Sequence, residues 1–295
     1  MKFISLLFLV LCNFCAIGQN NLLERYKSLG SVYVFGIKNA PFPDSERKAG
    51  HIYDNINYDA ATHYNDSSVL VFVPKDYKWS NRVDILIHFH GWNNHLDSVT
   101  ANYKLIEQFA AAKKNALLII PQGPKDAPDS YGGKLEKPDG FKKLVLEVLD
   151  SIARKENKAR LKPNNIIISG HSGGYRVMSY ILLQGGLTKN IKEVWLFDAL
   201  YGNVEKFAVW MQQKDARLVN IYTKNGGTFS QSQELEYDLN GWKIPFWKGN
   251  ESELSDESLK KNKILSVFTT LEHNETLNKT DLFRRLALCS KYFDN

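Results

Sequence analysis

The strongest chemical signal is five consecutive residues, Gly170-His171-Ser172-Gly173-Gly174. Ile166 to Ile168 just before them is a short β-branched apolar run, and Tyr175 to Leu183 just after them has helical character. A serine set between glycines at a strand-to-helix turn is the arrangement of an exposed nucleophile. Gly170 and Gly174, two residues to either side, let neighbouring backbones pass closely. The strained turn leaves the hydroxyl exposed. The N-terminus of the following helix favours negative charge developing beside it. A glycine-rich phosphate loop shares the glycines but needs a lysine that this turn lacks. A serine hydroxyl attacks poorly at neutral pH until a base accepts its proton, so the turn calls for a histidine brought in from elsewhere.

A second cluster runs His88-Phe89-His90-Gly91-Trp92-Asn93-Asn94-His95. Alternate residues of a strand share a face, so His88 and His90 point the same way. With His95 they form a set that is able to hold zinc and activate water. Trp92 to Asn94 supplies no aspartate to complete such a set, and no Asp-x-His follows later in the chain. Asp126 and Asp129 raise a calcium reading, but without the spacing of an EF-hand loop. Cys289 lies in the periodic apolar segment Leu282-Phe283-Leu286-Cys289, the setting of a buried structural thiol.

The elements that position these residues alternate along the chain. Apolar runs at Val32 to Phe35, Val69 to Val73, Val83 to Phe89, Ala116 to Ile120, Ile166 to Ile168, Val194 to Phe197, Leu218 to Tyr222 and Ile264 to Phe268 predict eight strands. The later runs are continuous rather than alternating, which implies burial on both faces of a parallel sheet. Phe141, Leu144, Val145, Val148, Leu149 and Ile152 follow the spacing of one buried helical face, with Asp139 as its expected N-cap. Tyr175 to Leu183, Asn203 to Gln213 and Thr280 to Lys291 read as further helices. Such alternation specifies an open α/β sheet with helices on both faces, in one domain. Ligands of such sheets sit beyond the carboxyl ends of the strands, where Ser172 already lies.

In this context the glycine-flanked serine resembles the α/β-hydrolase superfamily, and looks most like its secreted bacterial esterase-type members. The resemblance covers nearly the whole chain from about residue 31. It implies a single-domain, mostly parallel eight-stranded sheet and the order serine, acid, histidine, with the last two on loops after later strands. The histidine it implies is His273, in Thr269-Thr270-Leu271-Glu272-His273-Asn274 after the last strand. The acid departs from the commonest pattern. The seventh strand ends in Thr223-Lys224-Asn225-Gly226-Gly227, without a carboxylate. Asp198 instead follows four apolar residues of the sixth strand, an expensive place for an unpartnered carboxylate. Some members place the acid there, so Asp198 is the expected partner of His273, with Glu272 as the alternative. The resemblance also implies an oxyanion site made by the backbone N–H groups of Trp92 and Gly173, with Gly91 turning the loop and His90 bracing it.

Composition narrows the classes. The 295 residues are 43% hydrophobic and 24% charged, the balance of a globular protein with a sizeable core. The net charge of +6 is scattered, and Lys260, Lys261 and Lys263 follow a run of acids, which argues against a nucleic-acid track. Met1-Lys2, the apolar stretch Phe3 to Leu11 and Ala16-Ile17-Gly18 have the pattern of a secretory signal, with cleavage expected after Gly18. Bulky residues before Cys12 and Cys15 argue against lipidation, and no later stretch has the length of a membrane helix. The expected division is a leader over 1–18 and one domain over 19–295. Two long connections border the pocket: Gln122 to Gly140, and Gly227 to Lys263. The second carries Trp242, Ile244, Phe246 and Trp247 and is read as either a cap or an anchored helical layer. The expected protein is a secreted or periplasmic serine hydrolase that needs no cofactor or metal. Its expected substrate is a small-molecule or polysaccharide-linked carboxylic ester. The alternatives are a peptidase or amidase on the same residues, a zinc hydrolase using His88, His90 and His95, and a non-catalytic binding protein on this scaffold.

Overall fold

The computed structural model describes residues 24–295. The expected leader, its cleavage point after Gly18, Cys12 and Cys15 lie outside the described residues. The strands are β1 (Gly30–Gly36), β2 (His51–Tyr53), β3 (Ile56–Tyr58), β4 (Ser68–Pro74), β5 (Arg82–Phe89), β6 (Ala116–Pro121), β7 (Lys162–His171), β8 (Ile191–Phe197), β9 (Arg217–Thr223), β10 (Trp247–Asn250) and β11 (Ile264–Thr269). Nine of them form one sheet in the order β1-β4-β6-β5-β7-β8-β9-β11-β10, and β2 with β3 forms a separate hairpin. β1 and β4 run antiparallel at one edge, and the neighbours from β6 through β10 pair in parallel.

The continuous apolar runs divide cleanly between two cores. Val69, Val71, Ile85, Ile87, Leu117, Ile119, Val194 and Leu196 face one side. Leu70, Phe72, Leu86, Leu118, Ile120, Trp195 and Phe197 face the other. Strand side chains alternate, so a sheet covered on both faces needs apolar residues at every position. The helices Gly140–Lys155, Tyr175–Gln184, Val204–Met211 and Phe229–Gly241 cover the first face, and Leu96–Tyr103, Leu105–Ala111 and Leu282–Cys289 cover the second. In Gly140–Lys155, Phe141, Leu144, Val145, Val148, Leu149 and Ile152 are wholly buried. Burial of each such side chain contributes about 2 kcal/mol relative to exposure.

Two expectations change. The sheet has nine strands rather than eight, because Trp247–Asn250 adds an edge strand parallel to β11. Its sequence, Trp-Lys-Gly-Asn, lacks an apolar run because only alternate residues touch the body. Asp139 is not a side-chain cap: it adopts φ 55°, and its carboxylate makes no capping hydrogen bond. The segment 227–263 contributes the helix Phe229–Gly241, strand β10 and the helix Asp256–Lys261. Leu235 and Leu239 of its first helix are buried in one core and Leu259 of its last in the other. No helix among the described residues is long and apolar enough to cross a membrane.

Candidate active site

The carboxyl ends of β5, β7, β8, β9 and β11 meet at one edge of the sheet. Ser172 follows β7 directly and adopts φ 52°, the left-handed region that a side-chain-bearing residue enters at a cost of about 1–3 kcal/mol. A one-turn 3₁₀ segment, Ser172–Gly174, then leads into the helix Tyr175–Gln184. The turn fits because its neighbours lack side chains. A Cβ on Gly91 would fall 2.5 Å from the Ser172 Cβ, and one on Gly174 would fall 2.6 Å from the Phe89 carbonyl oxygen. Gly170 is backed by the Met178 sulfur and Gly173 by the Trp92 ring and the Ser130 hydroxyl, at similarly short range.

Trp92 therefore lies against Gly173, the residue next to Ser172. Among the described residues, neither backbone N–H donates to a protein acceptor. His90 is buried and holds the loop beneath them. Its Nδ1–H donates to the Gly91 carbonyl at 2.8 Å, and its Nε2 accepts from the Gly123 N–H at 2.9 Å. Gln122 Nε2 lies 3.0 Å from the same Nε2. The Trp92 indole N–H donates to the Ser130 hydroxyl at 2.7 Å, and the Tyr53 ring from the β2–β3 hairpin lies edge-on at 5.2 Å.

His273 and Asp198, 75 residues apart in sequence, meet with Nδ1 2.6 Å from Oδ2. Asp198 is fully buried and, like Ser172, adopts a positive φ, here 45°. Its Oδ1 accepts from the Thr223 N–H at 3.1 Å and from the Thr228 hydroxyl, and its Oδ2 accepts from the Thr223 hydroxyl at 2.9 Å. Burial pushes this carboxyl up, but the bonds from His273, Thr228 and Thr223 outweigh it and hold it below the usual carboxylate range. It stays ionised at neutral pH. Glu272, the alternative acid, is exposed, and its backbone N–H donates to the Glu275 carboxylate at 3.2 Å.

No hydrogen bond joins the Ser172 hydroxyl to His273 among the described residues. Tyr201 lies near both. Its ring is 6.2 Å from that of His273, and its hydroxyl donates to the Gly226 carbonyl. Burial and the Asp198 carboxylate push its phenol up to about 12, and the Ser172 hydroxyl acts in the opposite direction. Sequence reasoning missed Tyr201, Thr223, Thr228, Ser130 and Tyr53. Nearness to the ends of β8 and β9 could have flagged Tyr201, Thr223 and Thr228; nothing in the sequence marks Ser130 or Tyr53.

The histidines of the rival metal reading point to separate partners. His88 is fully buried, with Nδ1 3.1 Å from the Ser169 hydroxyl, while both nitrogens of His90 are engaged as above. His95 Nδ1 is 2.7 Å from Asp126. The acids of the calcium reading are likewise paired, Asp126 with His95 and Asp129 with Arg47 through two bonds of 2.7 and 3.2 Å. No group of three or more metal-ligating side chains converges among the described residues. Cys289 is buried, as its periodic setting predicts.

No protein-family model matches the chain, and no curated protein matches it by sequence. Solved structures do. A ferulic acid esterase superposes with a TM-score of 0.53 at 11% identity, over 77% of this chain and 92% of that one. A feruloyl esterase module from Clostridium thermocellum, complexed with sinapinate, gives 0.48 at 12% identity over 89% and 98%. An S-formylglutathione hydrolase from Staphylococcus aureus gives 0.45 at 12% identity over 74% and 90%. Together with the strand order and the placement of helices on both faces, the first of these establishes that the chain has the α/β-hydrolase fold.

Proposed function

We propose that this chain is a serine hydrolase of carboxylic esters, with Ser172 as nucleophile, His273 as general base and Asp198 as the acid that orients it. The observation that carries the reading is the 2.6 Å contact between His273 and a buried, ionised Asp198, at the same sheet edge as a serine in a left-handed turn. The Ser172 oxygen attacks the ester carbonyl while His273 Nε2 takes its proton, and Asp198 stabilises the imidazolium. The Trp92 and Gly173 N–H groups receive the oxyanion, each such donor being worth about 3 kcal/mol of barrier. The C–O bond to the alcohol breaks as His273 returns the proton to the leaving oxygen. Water, deprotonated by His273, then attacks the acyl-serine and releases the acid and the free hydroxyl.

The ester preference follows the esterase names of the structural neighbours. Export is inferred from Phe3 to Leu11 and the small residues before Gln19. The test is labelling with a fluorophosphonate probe, together with paired ester and anilide substrates. The expected result is an adduct on Ser172 that is lost in Ser172→Ala, with hydrolysis of p-nitrophenyl acetate and not of the p-nitroanilide. A folded wild type that takes no label overturns the serine mechanism. Faster anilide cleavage replaces the esterase with an amidase.

A further inference from the structure

We propose that His171 is a positioning residue: a neutral imidazole that clamps the turn carrying His273 and fixes the ring plane presented to Ser172. The inference rests on the serine-hydrolase reading for its kinetic consequence, but its geometry stands alone. His171 is the last residue of β7 and is 1% exposed. Its Nε2 lies 3.1 Å from the backbone carbonyl oxygen of His273. A carbonyl only accepts, so Nε2 carries the proton and Nδ1 is bare. That Nδ1 is buried and has no partner among the described residues. The two imidazole rings lie 4.6 Å apart at 33°. The Tyr103 ring is 5.3 Å from His171, and its hydroxyl donates to the Asn274 side chain at 3.2 Å, so a second bond holds the same turn.

A proton on Nδ1 of His171 would have no acceptor and would place a second positive charge against the imidazolium of His273. Burial, then the neighbouring His273, hold His171 down at about 3. The arrangement gives a donor and a flat surface with no charge at any pH where His273 cycles. The titratable groups facing His273 are Asp198 from the end of β8, Tyr201 from the turn after it, and His171 from β7. On its own turn are exposed Glu272 and half-buried Glu275, the latter 2.9 Å from Lys279. Among these, the one ionised carboxylate bonded to the ring is Asp198. Loosening the clamp weakens that bond, and the pH profile of the reaction reads the loss.

The test compares His171→Phe, which keeps the flat ring and loses the donor, with His171→Gln, which keeps a donor. In the Phe variant kcat for p-nitrophenyl acetate falls about 100-fold, the scale of a misplacement near 1 Å, while KM is unchanged. The acid limb of its pH profile moves to lower pH, and His171→Gln recovers most of the rate. Proton NMR gives a readout independent of activity: the downfield Nδ1–H resonance of His273 is sharp in the wild type and in His171→Gln, and broadened or lost in His171→Phe. If His171→Phe does not fold, His171→Leu takes its place. Folded variants with unchanged kcat, acid limb and resonance overturn the proposal. A wild type unlabelled by fluorophosphonate overturns the hydrolase reading instead, and leaves the resonance comparison to decide the clamp.

Discussion

Gly226 stands so close to Asp198 that a Cβ on it would fall 1.7 Å from Oδ2 and 2.5 Å from the Thr223 hydroxyl oxygen. The turn after β9 therefore wraps the carboxylate. It carries no acid of its own; it carries the donors that keep the acid of β8 ionised.

The first prediction follows from that contact. Gly226→Ala pushes the turn away from Asp198 and lowers kcat about 100-fold in a protein that still melts cooperatively. Asp198→Asn keeps the shape but loses the charge, and is expected to lower kcat about 10⁴-fold. Steady-state kinetics on the two variants check both figures. An Asn variant with near wild-type kcat would pass the acid's role to another carboxylate.

Stability should fall on mild acidification. His88, His90 and His171 are buried, and burial lowers all three, His171 to about 3. In the unfolded chain each titrates near the ordinary value of about 6.5. Their neutral burial therefore opposes folding only below that pH: stability is complete above about 6.5 and is lost as pH falls from there toward the folded values. Each contributes up to about 1.4 kcal/mol per pH unit. Asp198, held low, adds a further loss below about pH 4. Urea denaturation at pH 7, 6 and 5 gives the slope, and His171→Phe should flatten it by one proton's share.

Ser130 accepts from the Trp92 indole at 2.7 Å beside Gly173. Ser130→Ala removes a bond worth about 1 kcal/mol and frees the ring that borders Gly173. We expect kcat/KM to fall by about tenfold at most, with the melting temperature nearly unchanged. A larger fall in kcat alone would place Ser130 in the reaction.

Dialysis against EDTA should leave ester hydrolysis intact, because both nitrogens of His90 and Nδ1 of His95 are taken by protein partners and His88 is sealed in the core. Loss of activity with recovery on added zinc would return the metal reading.

Asp198 stood out as a candidate because a carboxylate directly after an apolar run is visible without any structure, whereas Ser172 was read from its glycine-flanked turn and His273 from what the family resemblance implies. The eight strands were legible because each carries a short apolar run, and in the inner ones burial on both faces leaves few polar positions. Strand β10 was not, because a half-exposed edge needs only alternate contacts. The β2–β3 hairpin was hidden too: Ile52, Tyr53 and Ile56 are exposed, so no core demand shaped their spacing. Thr223, Thr228 and Tyr201 were hidden for a different reason. Their importance is a matter of distance to Asp198 and His273, and threonine or tyrosine in a loop carries no pattern of its own. Asp139 misled because a carboxylate before a helix usually caps it, whereas here the backbone at that residue turns left-handed.

The site draws on the ends of five strands spread from Phe89 to Thr269, and its histidine hangs on β11, which lies between β9 and the edge strand β10. Asp198 has no imidazole to orient until β11 has docked. During refolding, burial of the central strands should run ahead of any catalytic signal, and a chain cut before Ile264 should collapse without turning over an ester. Recovery of activity is then a clock for one long-range contact, the docking of β11 against β9.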